Sequence, residues 1–587
     1  MTTVTSPSSP VVSNTTLSVP RRVKKRAHRR RLWPDLGSEL LLLGLTTFAV
    51  NLYMVYQVVF QVGFFFVDAS SRTRMAWQVF FSNEPKLANI GFMWPPIPMF
   101  LQFPLVLIPA FRYKGLSGNV VTAVMGVGAA LVLVLFLRRL RIPVIIRWLI
   151  VAAFMCNPMI WIYSANGMSE IIFIFFLLLA VYCFYRWYET DGRWTFLTGC
   201  GLAMTGAFLT RYESVFVIIV FGALVAWQAF LWRFRNPHYI ESAILLYGAP
   251  VAYAVFLWLL ASYLIVGDPL YFVRGPYSNA GTIGSQLAAI LWVMPLKGNL
   301  LASAQTILVE TWHLFPAFIL LSGVLFIATI LKRAWIGLYI LGIAWSFIGF
   351  LILNVYSGQS LWQVRFFINE IPMAFVIGVG ILHIVTRWRG LVATLLCFTF
   401  ALSGFSSFDS MWSLTSLNAP RPPNSTNGFS FFDSMWNLTS GQRNGSGEDL
   451  LLRLLLTGQR AHVWDNEQKL ATYILNNTKG KILADDSQGT YIVFFSGAPE
   501  RFITQGDSVF NKFLHEPFHN VDYVLINDTI IGGTPNLVNR AYPNLYREGA
   551  VWAKLELEAG EWKLYRVIGS PNRVPFRTPA SDLIPPP

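Results

Sequence analysis

The sequence predicts a polytopic α-helical membrane protein that carries a C-terminal extracytoplasmic α/β domain. Of its 587 residues, 54% are hydrophobic and only 13% are charged, whereas soluble proteins carry about 25% charged residues. The mean hydropathy is +0.50. The apolar residues form long runs between residues 37 and 407, and these runs give way to polar sequence in the C-terminal part of the chain. The long runs predict the transmembrane domain, and the polar part predicts the soluble domain.

Residues 1–36 are predicted to form a disordered, basic cytoplasmic tail. Residues 1–20 are rich in Ser, Thr, Val and Pro, and residues 21–31 contain eight Lys or Arg residues. Basic segments beside membrane spans stay in the cytoplasm. The formal net charge of +15 is therefore a topology signal, with some attraction to anionic membrane lipids, and it does not predict a nucleic-acid partner.

Eleven apolar runs are predicted to cross the membrane. If they alternate from a cytoplasmic N-terminus, the basic loops around Arg138, Arg186–Arg193, Arg233–Arg235, Lys332 and Arg387 fall inside, as basic loops should. The predicted spans are 37–65, 118–137, 143–163, 168–187, 194–210, 214–232, 243–265, 304–331, 335–354, 368–386 and 391–407.

A twelfth apolar run, Ile97–Phe111, is predicted not to cross. It has 15 residues and contains Pro98, Pro104 and Pro109, whereas a spanning helix needs about 20 residues. Treating it as a crossing would also move every later basic loop outside. We therefore place it at the outer surface, within a first outer loop 66–117. This placement predicts an extracytoplasmic C-terminus and a multi-pass protein of the inner or plasma membrane.

Residues 408–445 are predicted to be a linker that contains a near-duplicated segment. Residues Ser406–Ser416 recur with few changes as Ser430–Ser440. Two copies are too few for a repeat architecture, which needs at least three units. The sequence gives no purpose for the duplication.

Residues 446–587 are predicted to form the soluble α/β domain. The short apolar runs Lys481–Asp485 and Val521–Ile526 are typical of buried strands, and Glu561–Val567 has the pattern of a final strand. Asp485 and Asp486 follow a strand end, where α/β sheets often place ligand-binding groups. An acidic turn at this position is more often structural, so it predicts no chemistry by itself.

Polar residues are concentrated at the predicted outer ends of the spans. A carboxylate there can act as a general base, and arginines bind phosphate through two parallel hydrogen bonds. Together they suit a lipid phosphate, whose head group lies at the membrane surface and whose tail lies in the bilayer. The candidate residues are Asp68 as the catalytic base, with Arg72, Glu170, Arg211, Glu213 and Arg365 at the lipid-phosphate site.

Structural roles are the alternative for the same residues. Glu170 and Arg365 could be buried structural partners, and Arg211 and Glu213 could simply pair with each other. The sequence has no Walker motif, so an outward-facing transferase would need an activated group already carried on a lipid. The four cysteines lie in apolar stretches and suggest neither disulfides nor a metal site. No cofactor and no metal are therefore expected.

Several short motifs resemble those of the GT-C glycosyltransferases, which are polytopic enzymes that use polyprenyl-phosphate or dolichyl-phosphate sugars. The closest branch is that of the protein O-mannosyltransferases and aminoarabinose transferases. The resemblance covers about residues 37–400. It is carried by the first-loop acid Asp68, by Trp94–Pro98, by Asn157-Pro158-Met159 before Ser169-Glu170, and by Leu209–Glu213.

The resemblance implies a glycosyltransferase that moves a hexose or pentose from a polyprenyl-phosphate donor to an extracytoplasmic glycan, lipid or protein. It implies that Asp68 deprotonates the acceptor hydroxyl and that the transfer inverts the sugar. Ala69 stands where protein O-mannosyltransferases have a second acid, and the Trp-Trp-Asp signature of oligosaccharyltransferases is missing. These departures leave the acceptor open.

Two other classes remain open from the sequence. A transporter of lipid-linked sugars or envelope polymers would share the many spans, but it should place charged or helix-breaking residues near mid-membrane in repeated halves. A structural or sensory protein would use its outer domain to bind a partner and would not need Asp68. The acids at the outer ends favour the enzyme. The sequence does not specify the sugar, the prenyl chain, the acceptor or the oligomeric state.

Overall fold

The computed structural model describes residues 36–275, 278, 296–359, 364–412, 447–518, 520–528 and 536–568. The predicted cytoplasmic tail before Leu36, residues 413–445 of the predicted linker and the whole second copy of the duplicated segment lie outside these residues. Within the described ranges, the chain is helical as far as residue 412, and a mixed sheet with flanking helices makes up most of the C-terminal part.

The first part of the chain contains eighteen helices among the described residues. They are α1 (Leu36–Tyr56), α2 (Val67–Phe81), α3 (Ile97–Phe100), α4 (Phe103–Val106), α5 (Pro109–Arg112), α6 (Leu116–Arg139), α7 (Val144–Met155), α8 (Pro158–Tyr163), α9 (Glu170–Glu189), α10 (Trp194–Phe208), α11 (Ser214–Arg233), α12 (Pro237–Val266), α13 (Tyr271–Arg274), α14 (Leu300–Leu314), α15 (Ala317–Lys332), α16 (Trp335–Ser357), α17 (Glu370–Ile384) and α18 (Arg389–Trp412). A π-helical turn, Gln57–Val62, extends α1, and a 3₁₀ turn, Val364–Phe367, precedes α17.

Eight helices in the described part of the chain are long and apolar enough to cross a membrane, and a ninth crossing results if α14 and α15 form one span. The prediction of a polytopic helical membrane protein is confirmed. All eleven predicted spans coincide with helical segments, but three of them are irregular. Residues 143–163 contain two helices, α10 has only 15 residues, and α14 meets α15 at an angle of 103°. The number of eleven crossings therefore stays a prediction.

The run Ile97–Phe111 is broken into the short helices α3, α4 and α5, as its prolines suggest. Proline lacks an N–H donor and disfavours a helical conformation in the residue before it. The stretch Ile97–Val106 is too short to span a bilayer. It is tied to the rest of the fold by Gln102, whose Oε1 accepts hydrogen bonds from Thr73 and Ser117.

The basic loops and the candidate site lie at opposite ends of the helix bundle. Glu39, near the start of α1, forms ion pairs with Arg138 and Arg147, and Asp68 lies just beyond the other end of the same span. Glu170 and Glu189 likewise mark the two ends of α9, and Glu189 pairs with Arg139. The basic and the acidic ends of these helices are thus separated, and the orientation across the membrane stays a prediction.

The C-terminal part of the chain contains helices α19 (Gly447–Thr457), α20 (Asp465–Asn477), α21 (Thr490–Ser496), α22 (Phe510–His515), α23 (Leu537–Ala541) and α24 (Leu545–Glu548). Its strands are β1 (Ile482–Leu483), β2 (Phe502–Ile503), β3 (Tyr523–Asn527), β4 (Ala553–Ala559) and β5 (Trp562–Val567), in the sheet order β2-β1-β3-β5-β4. The first three strands are parallel, and β5 is antiparallel to β3 and β4.

Alternate strand residues point to opposite faces of this sheet, and each face has its own apolar core. Val524 and Ile526 pack in one core, whereas Tyr523 and Leu525 pack in the other. Strands β1, β3 and β5 coincide with the three runs expected to be strands, and the separate C-terminal α/β domain stays a prediction. The sequence did not reveal β2, which has only two residues, or β4, whose middle residues are exposed or half-buried.

The C-terminal part packs against the first outer loop. Leu451 and Leu452 of α19 are buried in the same apolar core as the membrane helices. Gly115, at the end of the loop, has a φ of +68°, and a Cβ there would overlap the ring of Phe494. This contact places the sheet on the same side of the bundle as Asp68.

Candidate active site

Asp68 lies in the first turn of α2, immediately after the first span. Gly63 adopts a left-handed conformation with φ of 69° and ends the helix of that span. A short extended connection follows, and α2 starts at Val67. An acid in the first turn of a helix is stabilised by the positive end of the helix dipole. Arg72 follows four residues later, so the two side chains share one face of α2.

Asp68 forms an ion pair with Arg365, which comes from the 3₁₀ turn before α17. The distance from Arg365 Nη1 to Asp68 Oδ2 is 2.7 Å. The side chains are 19% and 27% exposed, respectively. Because both remain partly accessible, a ligand can reach the pair from outside.

A second ionic group surrounds Arg211, which lies between α10 and α11. Its Nη1 donates to Glu170 Oε1 at 2.5 Å. Its Nε and Nη2 donate to the two oxygens of Glu213 at 2.8 and 2.7 Å. Nη1 also reaches the hydroxyl of Ser169 at 3.3 Å. Every nitrogen of this guanidinium group therefore has a partner.

Arg72 links the two ionic groups. It interacts electrostatically with Asp68 and with Glu170, and it is repelled by Arg211 and Arg365. The structure thus brings all six candidate residues into one region, which we call the outer charge cluster. Its three cations and three anions are Asp68, Arg72, Glu170, Arg211, Glu213 and Arg365.

The arginines of the cluster favour the ionised forms of Asp68 and Glu213. Burial favours the neutral form of Asp68, but the guanidinium groups of Arg365 and Arg72 outweigh that effect and lower its pKa below the ordinary value of 3.8. Burial also opposes ionisation of Glu213, and Arg211 again reverses the effect and lowers its pKa. Burial lowers the pKa of Arg72. Asp68 is therefore an ionised proton acceptor across the neutral pH range.

Unsatisfied N–H groups distinguish the three arginines of the cluster. Arg72 is only 6% exposed, yet its Nε and Nη1 have no hydrogen-bond partner among the described residues. The Nε of Arg365 also lacks a partner there. The guanidinium carbon of Arg72 lies 4.6 Å from the centre of the Trp94 ring. A buried donor without a partner is costly, so Arg72 and Arg365 are the arginines that an anion would satisfy.

One residue near Asp68 was not found by sequence reasoning. Tyr491, in α21, donates its hydroxyl to Phe65 O at 2.9 Å, and its ring stacks on Trp464 with centroids 3.6 Å apart. It interacts electrostatically with Asp68, and burial raises its pKa far above the ordinary value. The residue lies over 400 positions away in an ordinary apolar helix, so no sequence signal pointed to it.

Several other polar residues on the outer side have partners outside the cluster. Glu84 accepts hydrogen bonds from Ser508, and Arg74 pairs with Asp486. Asp268 accepts a hydrogen bond from the backbone of Leu270. The turn acid Asp485 accepts hydrogen bonds from Ser487, Gln505 and the backbone of Leu537, which is a structural role.

No group of three or more His, Cys, Asp or Glu side chains suited to a metal ion occurs within the described ranges. The expectation that the protein works without a metal or a cofactor is not tested by this and stays a prediction.

Comparison with known proteins supports the resemblance drawn from the sequence. The sequence model of the dolichyl-phosphate-mannose-protein mannosyltransferase family matches residues 112–266, a range that includes Glu170, Arg211 and Glu213. A search of curated protein sequences gives no significant match.

The fold is similar to that of ArnT from Cupriavidus metallidurans. The crystal structure of ArnT bound to undecaprenyl phosphate has a TM-score of 0.53 and 13% sequence identity, covering 90% of this chain and 99% of that one. The structure of ArnT in the apo state has a TM-score of 0.50 and 13% identity, covering 92% and 100%.

This likeness concerns the fold. Together with the family match, it confirms that the chain resembles the GT-C glycosyltransferases, the class predicted from the sequence. The fold is that of a polytopic helical membrane protein and is similar to the fold of ArnT.

Proposed function

We propose that this protein is a GT-C-type membrane glycosyltransferase that uses a polyprenyl-phosphate-linked sugar as its donor. The observation that carries the proposal is the outer charge cluster. An ionised, partly accessible carboxylate, Asp68, lies beside Arg365 and Arg72, both of which have unsatisfied N–H groups. A proton acceptor next to a phosphate-binding pair is what transfer from a lipid phosphate requires.

The compared proteins support the same donor class. The ArnT structure contains undecaprenyl phosphate, and the matching family is described by its use of dolichyl-phosphate mannose. A donor of this kind places its phosphate at the end of the helix bundle and its tail among the apolar helices. It needs no nucleotide at the outer surface, which agrees with the lack of a Walker motif.

In the proposed reaction, Arg72 and Arg365 bind the donor phosphate through charge-assisted hydrogen bonds. The acceptor hydroxyl oxygen attacks C1 of the sugar from the face opposite the phosphate, and its proton passes to the carboxylate of Asp68. The C1–O bond to the phosphate breaks, and the polyprenyl phosphate leaves with the bonding electrons. A single displacement of this kind inverts the configuration at C1.

The role proposed for Arg211 follows from its existing ion pairs with two carboxylates. Glu170 and Glu213 already engage all three of its nitrogens, so phosphate binding there would first have to break an ion pair. We assign the phosphate to Arg72 and Arg365, and we assign to Arg211, Glu170 and Glu213 the task of holding the neighbouring loops. This division refines the sequence prediction, in which Arg211 was a phosphate candidate.

We further propose that the cluster faces the outside of an inner or plasma membrane, with the N-terminus in the cytoplasm. The separation of the basic loops from the cluster supports this orientation. The acceptor is then an extracytoplasmic glycan, lipid or protein. Nothing in the cluster favours one sugar or one acceptor over another.

The decisive experiment measures binding and transfer with the purified full-length protein in lipid nanodiscs. A ligand that binds only the native state raises the unfolding temperature. We expect polyprenyl phosphate to raise it and polyprenol, which lacks the phosphate, to leave it unchanged. Electron cryo-microscopy should place the phosphate beside Arg72 and Arg365, and a polyprenyl-phosphate sugar should be consumed when an acceptor extract is added.

Different outcomes would separate the alternatives. Binding of the lipid phosphate without any sugar transfer, combined with its movement across a sealed membrane, would identify a transporter. Failure to bind any polyprenyl phosphate over several chain lengths would contradict the proposal and favour a partner-binding protein.

A further inference from the structure

Helix α2 has two functional faces, and only one of them belongs to the outer charge cluster. Asp68 and Arg72 lie four residues apart on the first face. Arg74 and Gln78, also four residues apart, lie on the second face. Arg74 Nη1 donates to Gln78 Oε1 at 2.7 Å. This second face is turned toward the sheet of the C-terminal part.

Asp486 binds that second face. The carboxylate of Asp486 forms an ion pair with Arg74 and accepts a hydrogen bond from Gln78 Nε2 at 3.1 Å. The Arg74 side chain is 4% exposed and that of Asp486 is 14% exposed. A charge pair so well shielded from water is expensive to break, because removing one partner leaves the other charge buried alone.

Residues that follow the strands of the sheet hold Asp486 in place. Asp486 follows β1 by three residues, and its backbone N–H donates to Gln505 Oε1 at 3.1 Å. Its carbonyl accepts from the hydroxyl of Thr490, at the start of α21. The carboxylate is therefore fixed by the strand ends of the sheet, at the edge where α/β sheets commonly bind ligands. Here that edge binds α2 instead.

Aromatic contacts reinforce the connection. Trp77 of α2 stacks on Phe494 of α21 with ring centroids 5.5 Å apart and nearly parallel planes. Phe65, three residues before Asp68, contacts Phe494 and Phe495 edge-on. The hydroxyl of Tyr491 binds the carbonyl of Phe65. Both ends of the segment that carries Asp68 are thus attached to the C-terminal part.

We propose that Asp486 is a positioning residue for the outer charge cluster: through Arg74 it fixes the rotation of α2, and thereby the places of Asp68 and Arg72. This inference rests on the proposed function for its catalytic consequences. It gives the C-terminal part a role in transfer that does not require it to touch either substrate.

A rotation of α2 would alter the charges around Asp68, and its pKa would report that rotation. Arg365, Arg72 and Arg211 act on Asp68 from three segments, and Tyr491 faces it from α21. Arg365 is carried by a different element from α2, whereas Arg72 moves with Asp68. A rotation of α2 therefore separates Asp68 from Arg365, and the pKa of Asp68 must rise as that stabilising charge withdraws.

The test compares the full-length protein with its Asp486→Asn variant. In the variant we expect kcat to fall by up to about 100-fold, the size of effect that small misplacements of reacting groups produce, and the acid limb of the kcat profile to move to higher pH. Hydrogen–deuterium exchange of residues 67–81 should become faster. The control variant Ser508→Ala removes the hydrogen bond from the Ser508 hydroxyl to Glu84 at the same interface, and it should change none of the three readouts.

A double variant separates positioning from general damage. Arg74→Gln combined with Asp486→Asn replaces the ion pair with two neutral amides and leaves no lone buried charge, so part of the lost activity should return.

Unchanged exchange in residues 67–81 of Asp486→Asn would overturn the inference whether or not the protein transfers sugar. Faster exchange in Asp486→Asn with an unaltered pH profile and kcat would overturn it as well. A wild-type protein that neither binds polyprenyl phosphate nor transfers sugar would instead contradict the proposed function.

Discussion

Asp68 and Arg365 are 297 positions apart in the sequence and form an ion pair of 2.7 Å in the fold. The pair joins the first outer loop to the turn before α17. It lies within electrostatic reach of Arg72 and Arg211, which brings the ends of several spans to one place. The proposed chemistry depends on this convergence, and the following predictions test it residue by residue.

Replacing Asp68 with Asn should abolish sugar transfer and leave the fold intact. Asparagine keeps an oxygen that can accept the hydrogen bond from Arg365, but it cannot take up the acceptor proton. Loss of a general base typically lowers rates by about 10²–10⁴-fold. Transfer from a polyprenyl-phosphate sugar is the measurement, and Glu84→Gln, which alters a first-loop acid outside the cluster, is the matched control. Full activity in Asp68→Asn would exclude this residue as the base.

Replacing Arg365 or Arg72 with Ala should weaken the binding of polyprenyl phosphate. A hydrogen bond to a charged group contributes about 1.5–3 kcal/mol, so Kd should increase by about 10-fold to 100-fold. Arg112→Ala serves as the control, because this arginine stacks on Phe81 outside the cluster. If the affinity of both cluster variants equals that of the control, the phosphate site lies elsewhere.

Replacing Arg211 with Gln should destabilise the protein more than it weakens phosphate binding. The change leaves Glu170 and Glu213 without their cation, and the loss of one partner from a buried ion pair costs about 3–5 kcal/mol. Thermal unfolding in detergent measures the effect. The double variant Arg211→Gln/Glu213→Gln should recover part of the stability. Normal stability together with lost lipid-phosphate affinity would show that Arg211 itself binds the donor.

Replacing Glu561 with Gln should stabilise the protein above about pH 4.5, and most strongly above about pH 7. Burial, together with Glu467 and Asp528, raises the pKa of Glu561 to about 7 from an ordinary value of 4.5. The folded chain therefore holds this proton more tightly than the unfolded chain. The resulting stability is complete below pH 4.5 and is lost as the pH rises through about 7.

The midpoint of thermal unfolding at pH 4, 6 and 8 checks this prediction. The neutral glutamine should match the wild type at pH 4 and exceed it at pH 8. Glu558→Gln, an exposed acid of the neighbouring strand, is the control. A difference that does not vary with pH would mean that Glu561 does not titrate in this range.

The composition of the cluster was predictable, because polar residues at the ends of apolar runs stand out in the sequence. All six candidates come together in the structure. The pairing of Arg211 with Glu213 was one of the alternatives drawn from the sequence, and the structure shows it. The other pairings were not predictable, because only the packing of α9, α10 and α11 decides that Glu170 also engages Arg211 while Arg72 keeps unsatisfied N–H groups.

The irregular spans also have one feature that the sequence predicts and another that only the packing decides. The run 304–331 is apolar enough to cross, and the sequence alone suggests one helix. The structure bends it by 103° at Phe315-Pro316, where proline cannot continue the hydrogen bonding of the preceding turn. A proline permits such a bend without fixing its angle, which depends on the neighbouring helices.

The sequence by itself determined the helical membrane class, the approximate limits of the spans and the end of the bundle that holds the charged groups. These features follow from the local pattern of apolar and basic residues, which acts over one span at a time. Only the tertiary structure decided that Asp68 meets Arg365, that Glu170 pairs with Arg211, and that Asp486 and Tyr491 approach the first loop. Such contacts join segments hundreds of residues apart, and they depend on how whole helices pack, which no local pattern encodes.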